Sequence, residues 1–97
     1  STPFIRPDCT TVWAQYTIGS PRRDRIAATL QAQGIPTQLF YHKPIHTQAP
    51  YRGFPVVTGG LPVTEQLARE VISLPMHPYL TPDVQDRIIA AVRTAAT

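Results

Sequence analysis

Eleven prolines punctuate this 97-residue chain, and they fall outside its periodic stretches, so they shape loops and element boundaries instead of breaking helices. Their frequency is more than twice the ordinary usage of about 5 per cent. Whatever fold forms must therefore be built from short elements joined by long, ordered connections.

Between the prolines the periodicity is legible. Val12 to Ile18 alternates, with Val12, Ala14, Tyr16 and Ile18 on one face and Trp13, Gln15 and Thr17 on the other, which predicts a first strand. Ser20 is suited to cap a helix and Pro21 to open it. Gly34 supplies a left-handed stop, so a helix is predicted from about Pro21 to Gln33 with Ile26, Ala27 and Leu30 buried. A second extended segment is predicted from Pro36 to Tyr41.

From His42 to Pro62 the periodicity fades and Pro44, Pro50, Gly53, Pro55, Gly59, Gly60 and Pro62 mark turns. A connection this long inside a small domain is usually functional or disordered, and its histidines and aromatic residues favour function. Val63, Leu67 and Val71, with Ala68 and Ile72, then predict a helix over Val63 to Ile72, with Glu65 and Arg69 paired on its outer face. Ser73 to Met76 reads as a short extended piece. Thr81, Pro82 and Asp83 start a last helix, with Val84, Ile88, Val92 and Ala95 as its apolar stripe and Asp83 paired with Arg87.

The order strand, helix, strand, loop, helix, short strand, helix predicts one α+β domain over residues 1–97. It is a two-layer arrangement with a short mixed or antiparallel sheet and helices mainly on one face, the second and third helices covering it. Hydrophobic residues at 42% and charged residues at 15% suit a folded domain. Nine Lys and Arg against six acids give a net charge of +3 without a basic run, which does not imply nucleic-acid binding. No apolar run reaches the roughly 18 residues of a membrane span. Cys9 is the single cysteine, so no disulfide framework exists and a reduced cytoplasmic setting is expected. A start at Ser1 instead of methionine suggests a cleavage product or a piece of a longer chain.

The chemistry-bearing residues concentrate in Phe40 to Tyr51, which includes Lys43, the only lysine. His42 and His46 at four-residue spacing, with His77, could be drawn as a zinc set, but Pro44 opposes the helix that spacing needs and no metal is expected. Cys9 has no evident base to make it a nucleophile. Gly59 and Gly60 precede Leu61 and Pro62, which is no phosphate cradle. Tyr41, His42, His46 and Tyr51 could instead line a sugar or nucleotide pocket, because rings stack on sugar and base faces while imidazole and phenol groups form hydrogen bonds. In the competing reading Phe40 and Tyr41 are core strand residues and His46 caps local carbonyls.

Three stretches carry a resemblance. Tyr41 to Tyr51 resembles the "Tyr-Pro-x-Pro-Leu-His-x-Gln-x-x-Tyr" segment of the DegT/DnrJ/EryC1/StrS aminotransferases, with His42 where that family often has proline and Ile45 in place of leucine. Leu74, Pro75, Met76, His77 and Pro78 resemble a second motif of the family. Gln33, Gly34 and Ile35 resemble its first helix stop. The resemblance runs almost end to end and places the chain as the C-terminal small domain of a fold-type I, pyridoxal-phosphate-dependent enzyme acting on nucleotide-linked keto-sugars.

It implies that the cofactor lysine, the acid facing the pyridine nitrogen and the phosphate cup belong to a separate large domain, that Lys43 does not take the lysine's role, and that no catalytic residue and no cofactor belong to this chain alone. It further implies a homodimer, with Tyr41, His42, His46 and Tyr51 facing the nucleotide-sugar. Two other readings stay open: a self-contained ligand- or protein-binding module, and a dehydratase of the same family.

Overall fold

Two isoleucines set the inner face of the sheet. In the computed structural model, which describes residues 1–97, β1 (Tyr16–Gly19) pairs antiparallel with β2 (Val71–Leu74), placing Ile18 opposite Ile72 and Thr17 opposite Ser73. Because side chains alternate across a strand, Ile18 and Ile72 enter the core while Thr17 and Ser73 share the other face. There their hydroxyls lie 2.7 Å apart, which satisfies the buried Ser73.

The predicted first strand is longer than the observed one. Val12 is 94% exposed, and pairing begins only at Tyr16, opposite Leu74. The ladder goes no further outward than the Tyr16–Leu74 pair, so Val12 to Gln15 stay outside the sheet. Trp13 instead packs edge-on against Tyr16, with ring centroids 5.1 Å apart.

The second predicted strand, Pro36 to Tyr41, contracts to one bridge. Gln38 exchanges backbone hydrogen bonds of 3.0 and 2.8 Å with Ser73. Tyr41 then adopts φ 55°, which turns the chain off the sheet.

Helix α1 (Arg23–Ala32) starts after Ser20, whose Oγ accepts a hydrogen bond from the Arg22 N–H at 3.1 Å. Ile26 and Leu30 are fully buried, as their spacing predicts. Gly34 at φ 70° ends the helix: its N–H donates to the Gln31 carbonyl and the Ile35 N–H to that of Leu30, at 3.0 and 2.9 Å. These bonds satisfy carbonyls left over at the helix end and drop Ile35 into the core beside Leu30. A Cβ at position 34 would meet no atom, so the cost of a side chain there is purely conformational. Gly34→Ala is expected to lose about 1 kcal/mol in urea unfolding.

Helix α2 spans Pro62–Glu70, and β2 follows with no intervening residue, Val71 already being extended at φ −82°, ψ 142°. The four-residue recurrence that predicts a helix through Ile72 runs across this junction, because β-branched Val71 and Ile72 belong to the sheet. On α2 only Ala68 is buried, while Val63 and Leu67 are exposed. The helical layer is accordingly α1 with α3 (Pro82–Ala96), not the second and third helices. The core joins Ile18, Ile26, Leu30, Ile35, Ile72, Ile88, Ala91 and Ala95, none from α2.

Thr81 and Pro82 open α3 as predicted, but its buried stripe is Ile88, Ala91 and Ala95, with Val92 flanking and Val84 exposed. Neither predicted helix ion pair forms. Arg87 donates to the Gln33 carbonyl at the end of α1, and Arg22, before α1, donates to the Ala96 carbonyl at the end of α3 at 2.6 Å. The two helices therefore run antiparallel, each C-terminal end covered by an arginine, where a cation suits the helix dipole.

Only 10 of 97 residues are buried and the radius of gyration is 15.9 Å, above the roughly 13 Å of a compact domain this long. The difference reflects extended chain outside the core.

Candidate functional site

The connection between Gln38 and α2 is built by short local bonds. Pro44 leads into a single 3₁₀ turn at Ile45–Thr47, and a second turn follows at Ala49–Tyr51. Thr47 Oγ1 donates to the Pro44 carbonyl at 2.8 Å, Gln48 Nε2 to that of Lys43 at 2.9 Å, and Arg52 Nε to that of Thr47 at 3.3 Å. Polar side chains thus satisfy a backbone that no ladder supports.

The first turn aims His46 at α2. Its side chain is only 17% exposed, and Nε2 lies 3.0 Å from Glu65 Oε1. Helical spacing predicts a Glu65–Arg69 pair, but Glu65 is held instead in the first turn of α2 against His46, 19 residues away in sequence. A first-turn acid is favoured there by the helix dipole. Nothing in the local spacing announces this contact, because it depends on how the intervening loop folds back.

The four candidate ligand residues fall into two neighbourhoods. His46 and Tyr51 share an open concavity of about 610 Å³ with Ile45, Phe54, Val57 and Thr64, and the Tyr51 and Phe54 rings are 6.2 Å apart. Tyr41 and His42 line a separate one of about 480 Å³, together with Lys43 and Gln48. Phe40 and Tyr41 are not core strand residues, at 42% and 90% exposed, and His46 bonds a carboxylate instead of local carbonyls.

Two further concavities, of about 230 and 340 Å³, border the sheet edge and α3 and contain no histidine, carboxylate or cation. Of these four concavities, the two in the loop are those lined by histidine.

The remaining candidates are accounted for locally. His77 Nδ1 accepts from the Tyr79 N–H at 3.2 Å, and no group of three His, Cys, Asp or Glu is positioned to hold a metal ion. Cys9 is exposed, with its thiol 3.8 Å from Asp8 Oδ1. The Arg6 guanidinium beside Asp8 holds that carboxyl below its usual range, in the N-terminal segment and not in the loop. No helix is long and apolar enough to cross a membrane.

Similarity to known proteins extends over the whole of this architecture. Residues 2–93 match the DegT/DnrJ/EryC1/StrS aminotransferase family. The chain is 44% identical over 87 residues to the dTDP-3-amino-3,4,6-trideoxy-alpha-D-glucose transaminase of Micromonospora megalomicea, covering 89% of this chain and 23% of that protein. It is 42% identical over 82 residues to the UDP-2-acetamido-2-deoxy-3-oxo-D-glucuronate aminotransferase of Pseudomonas aeruginosa, covering 81% and 21%.

Among solved structures, a DegT DnrJ EryC1 StrS aminotransferase from Brucella abortus superposes with a TM-score of 0.88 at 45% identity, over 98% of this chain and 26% of that one. The chain thus spans about a quarter of the length of the relatives it matches. With sequence and fold in agreement from end to end, the chain belongs to the DegT/DnrJ/EryC1/StrS aminotransferase family.

Proposed function

We propose that residues 1–97 form the C-terminal small domain of a pyridoxal-phosphate-dependent aminotransferase that converts a nucleotide-linked keto-sugar into an amino-sugar. The domain serves as one wall of the active site, in a homodimeric cytoplasmic enzyme. The observation that carries this reading is the similarity, over most of this chain, to two aminotransferases whose names specify dTDP- and UDP-linked sugars. The loop gives it a physical basis: a hollow that combines aromatic faces with a fixed imidazole suits a sugar ring, whose C–H faces stack and whose hydroxyls form hydrogen bonds.

The chain's own residues do not fit the cofactor. Its single lysine, Lys43, is exposed and lines the smaller loop hollow with Tyr41, His42, Gln48, Ala49 and Pro50, none of them a carboxylate that would pair with a pyridine nitrogen. The cofactor, which supplies the electron sink of transamination, is therefore assigned to the large domain of the same protein. The small domain's part is to bind and orient the sugar and to exclude water.

The test compares two proteins. The intact enzyme is expected to aminate dTDP- or UDP-linked keto-sugars, followed by mass spectrometry of the product, and the 97-residue chain mixed with pyridoxal phosphate is expected to develop no visible absorbance of an enzyme-bound cofactor. Amination by the chain alone, or none by the intact enzyme across both nucleotide classes, contradicts the proposal.

A further inference from the structure

We propose that Glu65 is a positioning residue that fixes the tautomer of His46, so that Nδ1 presents a lone pair to a hydrogen-bond donor of the ligand, a sugar hydroxyl or amine. This deepens the reading of the loop hollow as the sugar site and rests on it.

A carboxylate can only accept, so the 3.0 Å contact requires the hydrogen of the ring to sit on Nε2. In the neutral imidazole the other nitrogen is then an acceptor. The contact to Glu65 is the only hydrogen bond of the ring, and no buried side-chain nitrogen or oxygen lacks a partner, so Nδ1 is not sealed inside the protein. The hollow that His46 lines is walled by Ile45, Tyr51, Phe54 and Val57, with the Tyr51 phenol and Thr64 as its other polar groups. A donor group resting against those rings has the His46 lone pair as a partner.

Both ends of the pair are anchored. His46 stands in the turn braced by Thr47 and Gln48, and the Glu65 N–H donates to the Leu61 carbonyl at 3.0 Å within the first turn of α2. Helix α2, which contributes nothing to the main core, thereby carries the acceptor that orients the ring.

Long-range ¹H–¹⁵N correlation spectra of the 97-residue chain, recorded where the imidazole is neutral, read the tautomer directly. His46 is expected in the Nε2–H form in the parent and in Glu65→Gln, since the amide oxygen still accepts, and as a mixture in Glu65→Leu. Glu65 is half-exposed, so circular dichroism should show all three folded alike. In the intact enzyme, Glu65→Leu should lower kcat/KM for the nucleotide-sugar about tenfold, with Glu65→Gln within about threefold of the parent.

An Nδ1–H form, a doubly protonated ring at neutral pH, or a tautomer indifferent to Glu65→Leu overturns the positioning role whatever the kinetics show. A tautomer that changes while kcat/KM does not overturns the placement of Nδ1 against the sugar. In that case positioning by Glu65 stands and the assignment of the site fails.

Discussion

On the proposed function, replacing His46 by alanine in the intact enzyme is expected to lower kcat/KM for the nucleotide-sugar by about ten- to a hundredfold while leaving the absorbance of the bound cofactor as it was. The magnitude follows from losing a hydrogen bond made by a positioned imidazole, together with the cost of leaving its partner without one. The separation of the two readouts follows from the assignment of the cofactor to another domain. His46 is the candidate of choice among the four because it alone is both held by a carboxylate and largely shielded from water. Tyr41, at the opposite extreme, is 90% exposed. Steady-state kinetics with the absorbance spectrum recorded on the same sample check the prediction, and an unaltered kcat/KM removes His46 from the site.

The largest stability effect is expected at Ile72. It lies inside β2, fully buried, paired with Ile18 across the strands and joined in one core cluster with residues of α1 and α3. Truncation to alanine removes apolar contacts on the inner face and leaves a cavity that neighbours from two layers cannot collapse to fill. Ile72→Ala should cost about 3 kcal/mol, and Ile72→Val about 1 kcal/mol.

A domain of this size has only about 5–10 kcal/mol in total, and with 10 of 97 residues buried this one has little reserve. The alanine variant should therefore melt roughly 15 °C lower. Urea titration measures the loss, and a cost below about 1 kcal/mol would mean that the core relaxes around position 72.

Those two sites differ in how openly the sequence shows them. The α1 stripe and its Gly34 stop and the Thr81–Pro82 start of α3 are readable, because each depends on residues within one or two turns of one another. The strand ends are not. Val12 to Gln15 alternate like a strand but lack a partner, since β2 ends at Leu74, and that fact lies some 60 residues away.

Val71 fits a helical spacing and a strand equally well, and the sheet decides. At the loop, the sequence marks the chemical types and their concentration in Tyr41 to Tyr51. It does not show that Tyr41 and His42 face one hollow and His46 and Tyr51 another, nor that Glu65 meets His46 in preference to Arg69. Contacts between distant segments leave no periodic trace in either partner.

The seamless passage from α2 into β2 has a mechanical outcome. With no residue free to act as a hinge at Glu70–Val71, any swing of the helix must twist the strand, and the strand is locked on both edges by β1 and Gln38. The carboxylate that orients His46 is thus mounted on a stiff lever rooted in the sheet. Tyr51 to Gly60, by contrast, supply most of the hollow's rim without entering the core. Evolution or a protein engineer can re-cut that rim for a different ligand while the lever keeps its aim.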